Sequence, residues 1–212
     1  MEKKRKRLFF CGIGFILAFI LWTVLVRLID VQPIGPKESS VGFATLNGYF
    51  HSLTGTNMLL YTVTDWLGLV PIGVALGFAI LGLVQWIKRK NPLKVDRSIL
   101  SLGVFYTVVI AVYILFELIV INYRPVLING YLEASYPSST TMLVTTVMTS
   151  AAVQLRARIK STKLRRFVII VIYAFIMLMV IVRIASGVHW ITDIIGGLLF
   201  SLGVVIIYKV KG

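Results

Sequence analysis

Acidic residues, histidines and cysteines are scarce in this sequence of 212 residues, which holds eight aspartates and glutamates, two histidines and one cysteine. A single cysteine, Cys11, excludes both an intrachain disulfide framework and a cysteine metal cluster. Charged residues make up only 14% of the chain, against 58% hydrophobic residues. This balance excludes an ordinary soluble domain, because the surface of such a domain needs more polar groups. The composition predicts a single integral membrane domain over residues 1–212.

Six apolar segments approach the length of about 20 residues that a helix needs to cross a bilayer. They predict an all-α bundle of six transmembrane helices. The fourth segment is short and rich in threonine, so we expect it to pack inside the bundle. The predicted spans are Leu8–Ile29, Trp66–Ile87, Ile99–Ile121, Thr140–Leu155, Phe167–Ile184 and Ile191–Tyr208.

Basic residues are concentrated on one side of this six-helix arrangement. Eighteen of the 22 lysines and arginines lie in the N-terminal stretch MEKKRKR, the connections KRKNPLKVDR and RARIKSTKLRR, and the tail KVKG. Basic connections are retained in the cytoplasm, so both termini are predicted to be cytoplasmic. The same distribution indicates contact with anionic lipid head groups and argues against nucleic acid as the partner of this chain of net charge +14.

The first connection on the outer side, residues 30–65, is long and contains a helix signal. Apolar residues from Phe43 to Leu53 recur near helical spacing, which predicts a short helix in the membrane interface. Ser40 is expected to be its N-cap, and His51 is expected on its surface.

The second outer connection, residues 122–141, contains turn and helix-start signals. Pro125 ends the third span at or before Arg124, and Asn129 with Gly130 predicts a turn. Pro137 and the hydroxyl residues after it predict the start of the fourth helix. The free backbone N–H groups of a helix N-terminus favour an anion.

The third outer connection, RIASGVHWITD, places ionisable residues between two apolar runs. A helix that restarts near Val188 would put His189 and Asp193 on one face. The carboxylate could then hold one ring N–H and leave the other nitrogen free as a nucleophile. Arg124 and Arg183 can fork onto phosphoryl oxygens. The outer side is therefore predicted to hold a phosphate site.

Three short motifs, in this order, resemble those of the type-2 phosphatidic acid phosphatase family, in its membrane lipid-phosphatase branch and within the acid phosphatase and vanadium haloperoxidase superfamily. The family patterns are K-x6-R-P, P-S-G-H and S-R-x5-H-x3-D. Here they read ELIVINYRP, PSST and VRIASGVHWITD. The resemblance covers about residues 60–208, and it implies a phosphatase core with its site on the outer face.

The resemblance implies a role for each matched residue. His189 would be the phosphorylated nucleophile, and Asp193 would orient it. No metal or other cofactor is needed in the family. The phosphate-binding residues would be Arg124, Arg183, Ser138 and, beside it, Ser139.

The sequence departs from the family pattern at four motif positions. Glu117 replaces the first-motif lysine, Ser139 replaces the glycine, and Val182 replaces the leading serine of the third motif. Thr140 stands where the family has the histidine that protonates the leaving group. A threonine hydroxyl is far too weak an acid for that role.

The residues considered for a substitute acid are Glu117, His51 and, at the motif position itself, Thr140. Glu133, which flanks the first motif on the outer side, is a further group that could donate the proton. Glu117 lies within the third predicted span, where burial would keep a carboxylic acid protonated, and it is two helical turns from Arg124. The alternative is that Glu117 forms a structural ion pair with Arg124.

Three functions remain open. The first is a lipid phosphatase, which the nucleophile, the orienting acid and both arginines favour. The second is a pseudo-phosphatase that binds lipid phosphates, which the lost acid favours. The third is a lipid transporter or scaffold, although no broken helix or internal repeat supports it.

The lost acid also bears on the substrate. A phosphate monoester leaves from a diphosphate without much protonation, so a lipid diphosphate such as a polyprenyl diphosphate carrier is the favoured substrate. The expected location is a bacterial plasma membrane, with the site facing outside.

Overall fold

The protein is helical throughout most of its length in a computed structural model that describes residues 2–211. Over these residues, five helical stretches are long and apolar enough to cross a membrane: Glu2–Leu28, Met58–Arg89, Arg97–Leu118, Thr162–Ala185 and Ile191–Val210. The chain is therefore an integral membrane protein. Its helices are α1 (Glu2–Leu28), α2 (Ala44–Thr54), α3 (Met58–Leu67), α4 (Leu69–Arg89), α5 (Arg97–Leu118), α6 (Ser139–Arg158), α7 (Thr162–Ala185) and α8 (Ile191–Lys211).

Helix α6 corresponds to the fourth predicted span and differs from the other long helices. Most of its side chains are buried, including five of its threonines and serines, and it packs against α4, α5, α7 and α8. The prediction that this segment lies inside the bundle is confirmed. Because α6 is too polar to count among the membrane-crossing stretches, the number of six spans stays a prediction, as does the cytoplasmic position of the termini.

The pairing of α1 with α8 brings the first and the last of the described helices together. Gly12 and Gly203 face each other where these helices cross: a Cβ on Gly203 would lie 3.1 Å from the Gly12 carbonyl oxygen. Small residues allow helix backbones to approach closely in a membrane. Further along α1, Phe19 stacks on Tyr136 and packs against Phe200 of α8. Helix α1 therefore also supports the loop before α6.

Helix α3 begins well before the expected Trp66. The side chain of Asn57 accepts a hydrogen bond from the Leu60 N–H and caps the helix, and Gly68 separates α3 from α4. The expected loop to residue 65 is therefore wrong over its last part. The early start places Tyr61 and Thr64 on a helix that packs against α7.

The predicted interfacial helix is present as α2, but Ser40 is not its N-cap. The helix begins at Ala44, after Phe43 in a left-handed conformation. The residues before it are engaged elsewhere: Val41 pairs with Gln32, and the Phe43 ring stacks on Trp22 of α1 at 5.1 Å. These contacts fix the entry to α2 together with the Asp30 carboxylate, which accepts a hydrogen bond from the Thr45 N–H at 2.7 Å.

The connection between α5 and α6 is a hairpin that is held together by backbone pairing. Isolated bridges join Tyr123 to Ala134 and Ile128 to Tyr131. The predicted turn between them is confirmed, because Asn129 and Gly130 both have positive φ, 51° and 84°. This hairpin ends at Ser138, which caps α6 as the hydroxyl residues there predicted: its Oγ accepts from the Thr141 N–H at 3.5 Å.

Helix α8 begins at Ile191, three residues later than the expected restart near Val188. The Asp193 carboxylate reaches back and accepts a hydrogen bond from the Trp190 N–H at 2.9 Å. This arrangement corresponds to one half of a capping box. His189 therefore lies in the turn before α8 and not in its first turn.

Gly187 shapes that turn. Its φ is +62°, and a Cβ on it would lie 1.7 Å from the carbonyl oxygen of Gly55. The neighbouring Ser186 carbonyl accepts a hydrogen bond from the Asn57 N–H at 2.9 Å. The turn between α7 and α8 is thus locked against the start of α3.

We predict that Gly187→Ala destabilises the protein by about 2 kcal/mol or more, because the new methyl group meets a positive φ and a backbone oxygen at once. Gly103→Ala is the matched control, since it lies in α5 with open space around it, where alanine favours the helix. Thermal unfolding of both variants in one detergent measures the difference. Equal midpoints would contradict the role of Gly187.

Candidate active site

The side chain of His189 lies at the centre of a buried cluster of polar groups. Its Nδ1 is 3.1 Å from the carbonyl oxygen of Ser135. Its Nε2 is 3.3 Å from Arg124 Nη1 and also 3.3 Å from Arg183 Nη2. A carbonyl oxygen only accepts and a guanidinium only donates. A neutral ring with its proton on Nδ1 satisfies all three contacts and directs the Nε2 lone pair at the two arginines.

Asp193 is fully buried beside His189, but the expected hydrogen bond between them is not formed. Its Oδ2 lies 3.6 Å from Nδ1, which is too long for a hydrogen bond. The late start of α8 explains this, because the same oxygen caps the Trp190 N–H. The Ser135 carbonyl holds the ring N–H instead, and the carboxylate remains at ion-pair distance.

The two arginines are held by different partners. Arg183 is 1% exposed; its Nη1 donates to Thr64 Oγ1 at 3.0 Å, and Asp65 lies 4.0 Å from its Nη2. Arg124 pairs with Glu133, with 3.2 Å between Nε and Oε2. The expected alternative of a Glu117–Arg124 pair is wrong, because the hairpin places Glu133 at the guanidinium.

Positive charge dominates the surroundings of His189. Burial lowers the pKa of His189 well below its usual value, and the Arg124 and Arg183 charges lower it further. The carboxylates that pair with the arginines stand at the edge of the cluster, with 41% of the Glu133 side chain and 60% of the Asp65 side chain exposed. An anion that fits between the arginines would therefore be strongly favoured.

The other predicted site residues differ in whether they line the space beside His189. Ser138 is fully buried as the N-cap of α6, whereas Ser139 lines a narrow cleft beside His189 together with Glu117 and Tyr113. Thr140 is not among the residues that line this cleft. Glu117 lies near the end of α5, and other parts of the protein do not bury it.

His51 reaches the opposite side of His189. It lines a second narrow cleft with His189 and Trp190, and its ring centroid lies 5.6 Å from that of Trp190. Burial lowers the pKa of His51. Helix α2 therefore contributes to the surroundings of the site, and its position in the membrane interface stays a prediction.

Several residues in the cluster were missed by the sequence reasoning. Tyr61 and Thr64 come from α3, and Ser135 contacts His189 through its backbone carbonyl. The stretch YTVTD offered a signal, because residues three and four apart share a helix face and such polar residues are unusual in an apolar run. No comparable signal marks a backbone carbonyl.

A family model described as the PAP2 superfamily matches residues 98–211, more than half of the chain. The chain belongs to the PAP2 superfamily. The matched span contains Arg124, Arg183, His189 and Asp193, and it leaves out α1 to α4. The recognition made from the three motifs is therefore confirmed.

Within the PAP2 superfamily, the chain resembles a crystal structure described as the first transmembrane PAP2-type phosphatidylglycerolphosphate phosphatase from Bacillus subtilis. The TM-score is 0.58 at 22% sequence identity, and the match covers 95% of this chain and 94% of the other. This likeness extends the shared fold to the helices outside residues 98–211. No curated protein matches the sequence.

We predict that His189 of this PAP2 protein stays neutral, with its proton on Nδ1, at pH 6.5, where an unperturbed histidine is half protonated. Nitrogen NMR of the two imidazole rings measures this, and the His51→Gln variant assigns the signals. Removing one cation with Arg124→Gln should raise the midpoint of His189. A midpoint at or above 6.5 in the unchanged protein would contradict the arrangement.

Proposed function

We propose that this protein is a membrane lipid phosphatase that forms a phosphohistidine intermediate on His189. The observation that carries the proposal is the Nε2 atom, which is unprotonated in the neutral ring and lies 3.3 Å from each of two guanidinium groups. Phosphoryl transfer depends mainly on positioning and on stabilisation of charge. A nucleophile that lies next to two guanidinium groups, each able to bind phosphoryl oxygens, provides both.

The reaction would proceed in two steps. Nε2 attacks phosphorus, the N–P bond forms, and the bond from phosphorus to the leaving oxygen breaks. Arg124 and Arg183 neutralise the charge on the phosphoryl oxygens, while Asp193 and the Ser135 carbonyl stabilise the positive imidazolium. Water then attacks the phosphohistidine, the O–P bond forms, the N–P bond breaks, and one proton of the water passes to solvent. Inorganic phosphate leaves, and the ring, which keeps its Nδ1 proton, is neutral again.

A lipid is the substrate class that best fits the location of His189. The site lies at one end of the helix bundle, and the sides of the bundle carry exposed apolar side chains from α1, α4, α5 and α7. A substrate whose tail is held in the bilayer can therefore reach the site. The structural neighbour named as a phosphatidylglycerolphosphate phosphatase supports this class. No metal or cofactor has a part in the proposed steps.

Among lipid phosphates, we favour a diphosphate such as a polyprenyl diphosphate. Thr140 stands at the position of the family's general acid, and it does not line the clefts beside His189. A departing phosphate monoester needs less protonation than a departing alkoxide, so the loss of the acid penalises a diphosphate least.

The distribution of basic residues supports a site on the outer face of a bacterial plasma membrane. Helix α6 begins beside the site and ends at Arg158, so the connection after it lies at the far end of the bundle. Arg158 donates to Ser98 at the start of α5, which places two basic connections together there. The positive-inside rule assigns that end to the cytoplasm, where anionic lipid head groups can bind.

A pseudo-phosphatase that binds lipid phosphates without turnover is the second candidate. It is favoured by Glu117, which lines the cleft beside His189 and stands where the family has a lysine. The two candidates differ in phosphate release, which purified protein would show with lipid monophosphates and diphosphates as substrates.

We predict that His189→Ala lowers phosphate release by at least about 1,000-fold, because the attacking atom is lost. Cys11→Ser is the control and should retain full activity, since Cys11 is exposed on α1 away from the site. The phosphorylated protein, trapped by rapid acid quenching, should be absent from the His189 variant. Full activity in that variant would exclude the phosphohistidine mechanism.

If His51 or Glu117 is the substitute acid, we predict that replacing it lowers the rate of phosphate release from one class of substrate much more than from the other. Glu117→Gln or His51→Ala should then slow monoester cleavage by about 100-fold and diphosphate cleavage much less, because only the monoester needs its leaving group protonated. Rates of phosphate release from a lipid monophosphate and from a lipid diphosphate, measured for each variant, give the ratio of the two losses. Because burial lowers the pKa of His51 and so favours its neutral form, His51 would have to take up a proton when substrate binds.

Glu133→Gln is the matched control, since Glu133 holds Arg124 and its loss should affect both substrates alike. Equal losses on both substrates in the His51 and Glu117 variants would remove the substitute-acid hypothesis. The proposed preference for a diphosphate would then be supported only by the loss of the family's general acid at position Thr140.

A further inference from the structure

The two arginines pose an electrostatic problem, because both guanidinium groups touch one nitrogen atom. Arg124 Nη1 and Arg183 Nη2 are each 3.3 Å from His189 Nε2, so two like charges lie close together at a buried site. Like charges repel strongly where water is excluded. Glu133 and Asp65 pair with them only from the exposed edge of the cluster, so a further contact is needed to hold the two groups side by side before any phosphate arrives.

The ring of Tyr61 contacts both of them. The guanidinium carbon of Arg183 lies 4.7 Å from the ring centroid, and that of Arg124 lies 5.6 Å from it. Both distances are within the range of about 6 Å at which the negative face of an aromatic ring attracts a cation. One half-buried side chain thus contacts both phosphate-binding arginines.

Helix α3 holds Arg183 by other contacts as well. Thr64, one turn after Tyr61 and 1% exposed, accepts from Arg183 Nη1 at 3.0 Å. The Tyr61 carbonyl oxygen lies 3.5 Å from the same nitrogen. The start of α3 is tied to the turn before His189 through the Asn57 N–H and the Ser186 carbonyl. All these α3 residues lie outside the span 98–211 that matches the family model.

We propose that Tyr61 is a positioning residue whose ring face holds Arg124 and Arg183 side by side at His189, so that both guanidinium groups meet the same phosphoryl group. The proposal rests on the proposed phosphate site. A third carboxylate among the arginines would hold them more tightly, but it would also compete with the phosphate and repel it. A neutral ring attracts both cations without adding a negative charge.

The experiment compares three variants of Tyr61 with a control from the same helix. Tyr61→Phe keeps the ring face, whereas Tyr61→Leu and Tyr61→Met remove it but remain apolar. Trp66→Leu is the control, because Trp66 is also in α3 and is 70% exposed. Calorimetric binding of inorganic phosphate and the NMR midpoint of His189 are measured for each protein, together with thermal unfolding.

Loss of the ring should weaken phosphate binding by about tenfold and raise the His189 midpoint, because the guanidinium groups can then move away from Nε2. Tyr61→Phe and Trp66→Leu should bind phosphate within about twofold of the unchanged protein and keep its midpoint. Tyr61→Met carries the test if Tyr61→Leu does not fold. A purely structural role would lower thermal stability without moving the His189 midpoint.

Unchanged phosphate binding and midpoint in the leucine and methionine variants would overturn the proposal. So would a phenylalanine variant that behaves like them, because the ring face would then not be the part that matters. Absence of phosphate binding in the unchanged protein would overturn it too. Neither measurement requires turnover, so phosphate binding without hydrolysis of any lipid phosphate would count against the proposed function alone.

Discussion

The contact between a neutral imidazole and two guanidinium groups is the interaction on which the site depends. Arg183 and His189 are almost completely buried, and burying charge is costly unless each charge has partners. Nε2 can accept from both arginines only while the ring is neutral, and their charges in turn oppose its protonation. The state needed for attack on phosphorus is therefore the state that the free site favours.

Several separate segments must come together to build this contact. The hairpin after α5 supplies Arg124 and the Ser135 carbonyl, and its backbone is pinned by the Arg124 N–H on the Glu133 carbonyl. The turn after α7 supplies His189, and α3 adds the partners of Arg183. The Ser138 N–H donates to the Asp193 carbonyl at 3.0 Å, which ties the start of α6 to α8. Backbone hydrogen bonds therefore set the side-chain distances.

The buried helix α6 shows how the bundle tolerates polar residues beside a membrane site. Thr146 Oγ1 donates to the Met142 carbonyl at 2.6 Å, and Ser150 shares a hydrogen bond with Tyr106 of α5 at 3.0 Å. Hydroxyl groups that bond to their own helix or to a neighbour can be buried at modest cost. Helix α6 can therefore place its N-terminus, with Ser138 and Ser139, next to His189 inside an apolar bundle.

Local sequence predicted the parts of the protein that depend on local chemistry. Apolar runs of about 20 residues located the long helices. The Asn129–Gly130 turn and the cap at Ser138 followed from backbone preferences. Motif spacing brought out Arg124, Arg183 and His189 as one set. The errors occurred at helix starts. A contact with distant Trp22 helps to fix the entry to α2 in place of a cap at Ser40, whereas α3 and α8 begin at local caps, Asn57 and Asp193, that the sequence analysis did not single out as caps.

The partners of these residues were decided by tertiary structure alone. No spacing rule indicates that the Ser135 carbonyl takes the ring N–H in place of Asp193, or that Glu133 in place of Glu117 pairs with Arg124. The same holds for the Tyr61 ring, which touches both arginines from a helix far away in the chain. Sequence by itself determined which chemical groups the protein carries and the order of its helices. The packing of α3, the hairpin and α8 decided which atoms meet, because distances of a few ångströms depend on contacts between segments that are remote in sequence.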